Sequence, residues 1–250
     1  GDNYSFLPEQ RGFKETFYHK GGGVGQTPDY WNNNYQDDIY FRNGEPEESK
    51  GYCTDVFFDE AISFINKNKE NPFLCFLSLN APHSPFNVPK EYYELYENES
   101  DLLESQKRFY GMITNIDDNF GKLHQNVKSL GILDNTIIIF TTDNGTSNGY
   151  KYSKKDKKWL GFNAGMRGTK TSEYDGGHRV PFIIKWKKGG LFGGHSYSGL
   201  SAHVDMLPTL LSFAKIAFNS TKKIDGTDLS KHVINKSEAE RMLVTDTQRN

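Results

Sequence analysis

A chain of 250 residues, 35% apolar and 14% aromatic, can bury a sizeable core. Thirty basic and 32 acidic side chains leave a formal net charge of −2 and a pI near 6.4, so there is no global basic field to hold nucleic acid or an anionic membrane, and any anion recognition must be local. A mean hydropathy of −0.72, with no apolar run of the roughly 18 residues a membrane helix requires, excludes a transmembrane helix.

Residues 1–50 are rich in Gly, Asn, Tyr and Asp without a sustained period, and read as irregular surface. Gly21 to Gly25 lacks both a Gly-Lys-Ser/Thr ending and a preceding apolar strand, so it predicts a turned loop and not a phosphate cradle. From Thr54 to Asn66 the apolar residues Phe57, Phe58, Ala61, Ile62, Phe64 and Ile65 recur at helical spacing, with Thr54 or Asp55 expected near the cap. After Asn71-Pro72 the run Phe73 to Leu79 predicts a buried parallel strand. Phe109, Met112, Ile113, Ile116, Phe120, Leu123, Val127 and Leu130 form a second helical stripe, closed by Gly131. Thr136–Thr142 and Val180–Trp186 read as further buried strands, and Val204–Ala217 as a helix with Pro208 in its first turn. Helices alternating with continuous apolar strands predict an α/β fold with a doubly wound sheet covered by helices on both faces.

Two cysteines, Cys53 and Cys75, make neither a disulfide framework nor a zinc pattern and are expected as free thiols. Asn98-Glu99-Ser100, Asn219-Ser220-Thr221 and Asn235-Lys236-Ser237 match the glycosylation pattern, which carries little weight alone.

In open α/β sheets ligands bind beyond the carboxyl ends of strands, so the residues after each apolar run are the candidates. Strand 136–142 runs into Asp143-Asn144-Gly145, where a carboxylate and an amide oxygen suit calcium or magnesium; the same triplet also makes a plain turn. His83, between Pro82 and Pro85, suits a positioned acid or anion contact, or a histidine capping a turn. The glycine-rich stretch 163–181 carries Arg167, Lys170 and Arg179. Lys170 there is either a point charge for sulfate or phosphate oxygens or a solvated surface residue.

In order and spacing, Ala81-Pro82-His83-Ser84-Pro85-Phe86, Gly111 to Gly121, Thr142-Asp143-Asn144-Gly145, Met166-Arg167-Gly168-Thr169-Lys170, Tyr174-Asp175-Gly176-Gly177 and His203 to Leu211 resemble the sulfatases of the alkaline-phosphatase-like superfamily, in their arylsulfatase branch, from about Gly1 to Gly226. The resemblance implies hydrolysis of sulfate esters by a formylglycine made from a Cys/Ser-x-Pro/Ala-x-Arg motif, with calcium or magnesium on the sulfate oxygens. It implies Asp143 and Asn144 as metal ligands, and His83 and Lys170 as catalytic contacts to the sulfate and its bridging oxygen. His178 is a substrate contact or a structural histidine. Neither cysteine sits in the formylglycine motif, so the nucleophile and a pair of Asp ligands are expected in an amino-terminal segment that this chain lacks. Residues 1–218 then form the later part of the catalytic domain, and 219–250 begin a carboxyl-terminal element or tail. The implied partner is a sulfated small molecule or glycan, and the implied location periplasmic, secreted or lysosomal. The rival readings are a phosphatase or phosphonate monoester hydrolase of the same superfamily, and a non-catalytic calcium-dependent sulfoglycan-binding protein.

Overall fold

A computed structural model describes residues 4–21, 23–25, 34–218 and 223–245. Gly1-Asp2-Asn3, the triplet Asn219-Ser220-Thr221 and the boundary expected at 219 lie outside them. In chain order the strands are β1 (Phe17–Tyr18), β2 (Ile39–Arg42), β3 (Glu45–Glu48), β4 (Ile138–Thr141), β5 (Tyr150–Ser153), β6 (Lys158–Gly161) and β7 (Phe182–Lys185). The helices are α1 (Cys53–Asn68), α2 (Lys90–Glu94), α3 (Glu104–Ser129), α4 (Asp175–His178), α5 (Met206–Phe213) and α6 (Ser230–Asn235). The chain forms two compact units, one of residues 1–131 with 147–165, the other of 132–146 with 166–250.

The first unit is organised by α1 and α3, the two helices announced by their apolar spacing. Phe57, Phe58, Ala61 and Ile65 of α1 and Phe109, Met112 and Val127 of α3 are buried. The main apolar cluster joins Tyr35, Tyr40, Tyr52, Cys53, Phe57, Ala81 and Met112, with Leu77 and Leu79 packed against it. The helix begins at Cys53, one residue before the expected cap, and no side chain caps it. Asp55 is instead turned to the neighbouring helix, where its Oδ1 accepts from Asn115 Nδ2 at 2.8 Å and Asn119 Nδ2 at 2.6 Å. A half-buried carboxylate gains more from two amide donors than from a solvent-facing cap.

Residues 73–79 form no helix and no strand pairing among the described residues. The run alternates: Leu77 and Leu79 point to the core, whereas Leu74 and Phe76 are 67% and 74% exposed. A continuous apolar run specifies two apolar faces, and only one of them is covered here. Every strand pair among the described residues is antiparallel. The runs around 136–142 and 180–186 shorten to β4 and β7, which pair Ile138 with Lys185 and Thr141 with Phe182. An apolar run marks burial but carries no strand direction, which explains why the parallel pairing expected of these segments does not follow from it.

The second unit places α5 beside α6. Pro208 is the third residue of α5, where its missing N–H costs no helical bond. Thr227, Ser230 and Arg241 bind back onto residues of this unit: Thr227 N–H and the Ala202 N–H donate to Asp205 at 2.8 and 2.7 Å, and Arg241 Nη1 lies 2.7 Å from Asp205. Ser212 and Ser230 hydroxyls are bonded at 2.9 Å.

Candidate functional site

Asp143, Asn144, Lys170 and His178 belong to the second unit, and His83 to the first. In the second unit, β4 ends at Thr141 and the chain turns through Thr142–Thr146 against the glycine-rich stretch 166–178. The junction is made by main chain. Gly145 N–H donates to the Gly177 carbonyl at 2.9 Å, and Lys170 N–H to the Thr146 carbonyl at 2.8 Å. Gly176 N–H also donates to the Arg167 carbonyl at 2.8 Å, folding the stretch on itself. A Cβ at Gly145 would overlap the Gly176 carbonyl, so glycine here is a requirement of close backbone approach.

Side chains complete the arrangement. The Asp143 carboxylate is exposed and has no hydrogen bond or ion pair among the described residues. Asn144 spends its Nδ2 on the Gly145 carbonyl at 3.0 Å, which leaves its amide oxygen for another partner. A carboxylate and an amide oxygen are hard donors of the kind calcium and magnesium take, and they fit two ligands of such an ion. No group of three or more His, Cys, Asp or Glu that could hold a metal occurs among the described residues, so the pair supplies part of a coordination shell. The Lys170 ammonium has no ion pair among the described residues, and Thr171 beside it holds a φ of 77°, a strained conformation for a β-branched residue. Arg167 is occupied: its guanidinium lies over the Tyr174 ring at 3.5 Å.

His178 closes the one-turn helix α4 and lies 3.9 Å from Asp175, which also faces Arg179 at 3.5 Å. These charges are exposed and contribute little to holding the loop. His203 had no role in the sequence reading beyond membership of a motif. Its Nε2 donates to the Thr142 carbonyl at 2.8 Å, one residue before Asp143; a carbonyl only accepts, so this nitrogen carries the proton. The contact spans 61 positions in sequence, and no local signal announces it.

In the first unit, the His83 ring is exposed on its proline-flanked loop and its Nδ1 is 2.9 Å from the Ser84 carbonyl. The loop backbone is anchored by His83 N–H to the Asn80 carbonyl at 2.9 Å and by the Tyr35 hydroxyl to the His83 carbonyl at 3.2 Å. Burial pushes the Tyr35 hydroxyl up to about 12, so it stays a donor across the neutral range.

The chain is 30% identical over 210 residues to the uncharacterized sulfatase YdeN of Escherichia coli (strain K12), covering 82% of this chain and 35% of that protein. It is 29% identical over 178 residues to N-acetylgalactosamine-6-sulfatase of Homo sapiens, covering 70% of this chain and 31% of that one. The crystal structure of Ps i-CgsB in complex with k-i-k-neocarrahexaose matches 95% of this chain and 53% of its own, with a TM-score of 0.78 at 28% identity. The chain thus spans about a third of the length of these curated relatives, and its fold is a partial domain of the alkaline-phosphatase-like kind that its structural relatives carry. The Sulfatase family model matches residues 2–216, a stretch that takes in the His83 loop, the β4 turn, the glycine-rich segment and His203, and the chain belongs to the sulfatase family.

Proposed function

We propose that the whole protein hydrolyses sulfate esters of carbohydrate, with Asp143, Asn144, Lys170 and His83 acting at the sulfate group and His178 contacting substrate. The observation that carries this reading is the main-chain junction of the β4 turn with the glycine-rich stretch. In a sulfatase chain it brings the hard oxygen donors of Asp143 and Asn144 into one unit with the cation of Lys170. One relative is named for N-acetylgalactosamine-6-sulfate and one solved relative holds neocarrahexaose, which supports a sulfated glycan as the substrate class.

Calcium or magnesium bound with Asp143 and Asn144 among its ligands would withdraw charge from the sulfate oxygens, and a formylglycine supplied by an amino-terminal segment would be the nucleophile. Lys170 offers an ammonium point charge to an anionic oxygen without first having to leave an ion pair. That interaction strengthens as negative charge builds on the oxygen that departs with the sugar, so it favours the transition state over the ground state. His83 is the second catalytic contact proposed for the sulfate ester, as a proton donor. Its Nδ1 faces the Ser84 carbonyl as a donor, so Nε2 is the atom free to exchange a proton with substrate.

The test is sulfate release, followed by ion chromatography, from a sulfated galactan and from an aryl sulfate with the full-length protein, alongside phosphate release from a phosphate monoester. Asp143→Ala should lose bound calcium and sulfate release together, and Lys170→Ala should slow turnover by about 10²-fold, the scale of one lost preorganised donor. A folded Asp143→Ala protein with unchanged calcium and turnover refutes the assignment. Faster phosphate than sulfate release would move the protein to the phosphatase reading.

A further inference from the structure

The β5–β6 hairpin is a feature that the sulfate site does not use. Its sequence, Tyr150-Lys151-Tyr152-Ser153-Lys154-Lys155-Asp156-Lys157-Lys158-Trp159-Leu160-Gly161, sets five lysines against one aspartate in a chain whose net charge is −2. Strand alternation sorts it into two faces. Pairing Tyr152 with Trp159 and Tyr150 with Gly161 puts Tyr150, Tyr152 and Trp159 on one side, while Ser153 and Leu160 are buried on the other. Tyr150 and Trp159 stack at 4.8 Å with rings 15° apart, and Tyr152 meets Trp159 edge-on at 5.8 Å. Despite this packing Tyr152 and Trp159 remain 46% and 52% exposed, and Phe162 just beyond is 72% exposed.

The lysines crown this aromatic face. Lys154, Lys155 and Lys157 lie in the tip turn, all exposed and without ion pairs among the described residues. Asp156, the one acid within the hairpin, is folded back: its Oδ2 accepts from the Ser153 hydroxyl at 2.6 Å, and its N–H donates to Ser153 Oγ at 3.2 Å. Lys158 is tied to Asp101 at 2.9 Å. The hairpin is also fixed at its base, since buried Gln106 donates from Nε2 to the Leu160 carbonyl at 2.9 Å and the Tyr110 hydroxyl to the Gly149 carbonyl at 2.7 Å. Asn148 Nδ2 adds a bond to the Ser105 carbonyl at 2.8 Å. A rigid base carrying exposed aromatic rings and unpaired cations loses little entropy when a partner binds.

We propose that this hairpin is an anchoring surface for the polymer chain of a sulfated glycan. The rings would take the apolar faces of sugar units, and the tip lysines the sulfate groups. Three tip cations, each a compact point charge, suit sulfates dispersed along a flexible chain better than they suit bidentate recognition of a single group. The absence of a wider basic field argues against nucleic acid, which draws on many phosphate contacts at once. The proposal rests on the sulfated-glycan reading above for the identity of the anion, and it can be tested without any turnover.

Binding of this chain to a sulfated galactan, the same galactan after chemical desulfation, and single-stranded DNA is to be measured by calorimetry at two salt concentrations. The sulfated galactan should bind most tightly, and more weakly in high salt. Removing three exposed charge contacts in Lys154→Ala/Lys155→Ala/Lys157→Ala should weaken its binding roughly tenfold. Tyr152→Ala should weaken it by a similar factor, and Trp159→Phe, which keeps a ring on the face and guards against misfolding, by less. In the full-length enzyme the triple variant should raise KM for the polymer and leave kcat and KM for an aryl sulfate unchanged. Unaltered galactan binding by the folded triple variant, or DNA bound as tightly as the galactan, overturns the proposal. Neither result would touch sulfate release by the full-length protein, whose failure would in turn leave this binding measurement intact.

Discussion

Replacing Arg241 by Met tests how the carboxyl-terminal stretch is held. Asp205 and Arg241 side chains are only 4% and 10% exposed and approach to 2.7 Å. Breaking a buried pair from one side typically costs about 3–5 kcal/mol, because the remaining charge is left uncompensated. Two features of this pair put the expectation at the low end. Arg241 Nε and Nη1 find no well-aligned hydrogen-bond acceptor, so the contact is close in distance but poor in angle. Asp205 also keeps two amide donors, from Thr227 and Ala202, when the guanidinium is gone. Arg241→Met should therefore destabilise the second unit by about 3 kcal/mol, read as a shift of its urea unfolding midpoint. Burial alone would raise the Asp205 carboxyl, but Arg241 and the two amides outweigh it and hold the group below the usual carboxylate range. A depressed folded value means that the stabilisation is complete above the unfolded pKa of about 4 and is lost as pH falls through the folded value. The parent should lose stability over that acid range more steeply than the variant. A variant within about 0.5 kcal/mol of the parent, the spread of ordinary surface changes, would refute the reasoning.

Gly145→Ala should cost about 2 kcal/mol, because its Cβ meets the Gly176 carbonyl, a backbone atom that cannot swing aside, and because the bond to Gly177 would stretch. Gly193→Ala, where nothing lies within 4 Å, is the matched control and should be neutral in the same urea titration. Burial pushes the Cys53 thiol up to about 11, so roughly one molecule in a thousand carries the thiolate at pH 8. Mass spectrometry after iodoacetamide treatment should find Cys75, which is only partly buried, alkylated before Cys53; the reverse order would mean that α1 opens at its first turn.

What was legible in the sequence was whatever a single segment can encode. The stripes that became α1 and α3 were readable because one helical face repeats along each of them, and Pro208 was placed in a first turn because it cannot sit elsewhere. Strand partnership was less legible, since β4 and β7 pair across forty intervening residues and an apolar run does not state its direction. The β5–β6 hairpin went unread for a different reason. Its strands are short and lysine-rich, and they are held by the cross-strand pair of Tyr152 with Trp159 and by Gln106 from α3, neither of which appears as a periodic signal. Family membership was legible through the order of motifs, whereas the contact of His203 with Thr142 had no sequence trace.

The β4 turn and the glycine-rich stretch divide the labour between backbone and side chain. Their junction is made by the Gly145 and Lys170 amides and by glycines close enough to exclude a Cβ, while the Asp143 carboxylate and the Lys170 ammonium take no part in holding it. Such a site keeps its charged groups uncommitted: each can turn wholly to a ligand without first breaking a bond that the fold needs. The same division explains why the loop tolerates a strained Thr171 next to Lys170, since the flanking main-chain bonds over-determine its conformation. It also separates two classes of substitution in principle. Changes at the glycines act through the fold and reach every charged group at once, whereas changes at Asp143 or Lys170 remove a charge and leave the main-chain junction in place.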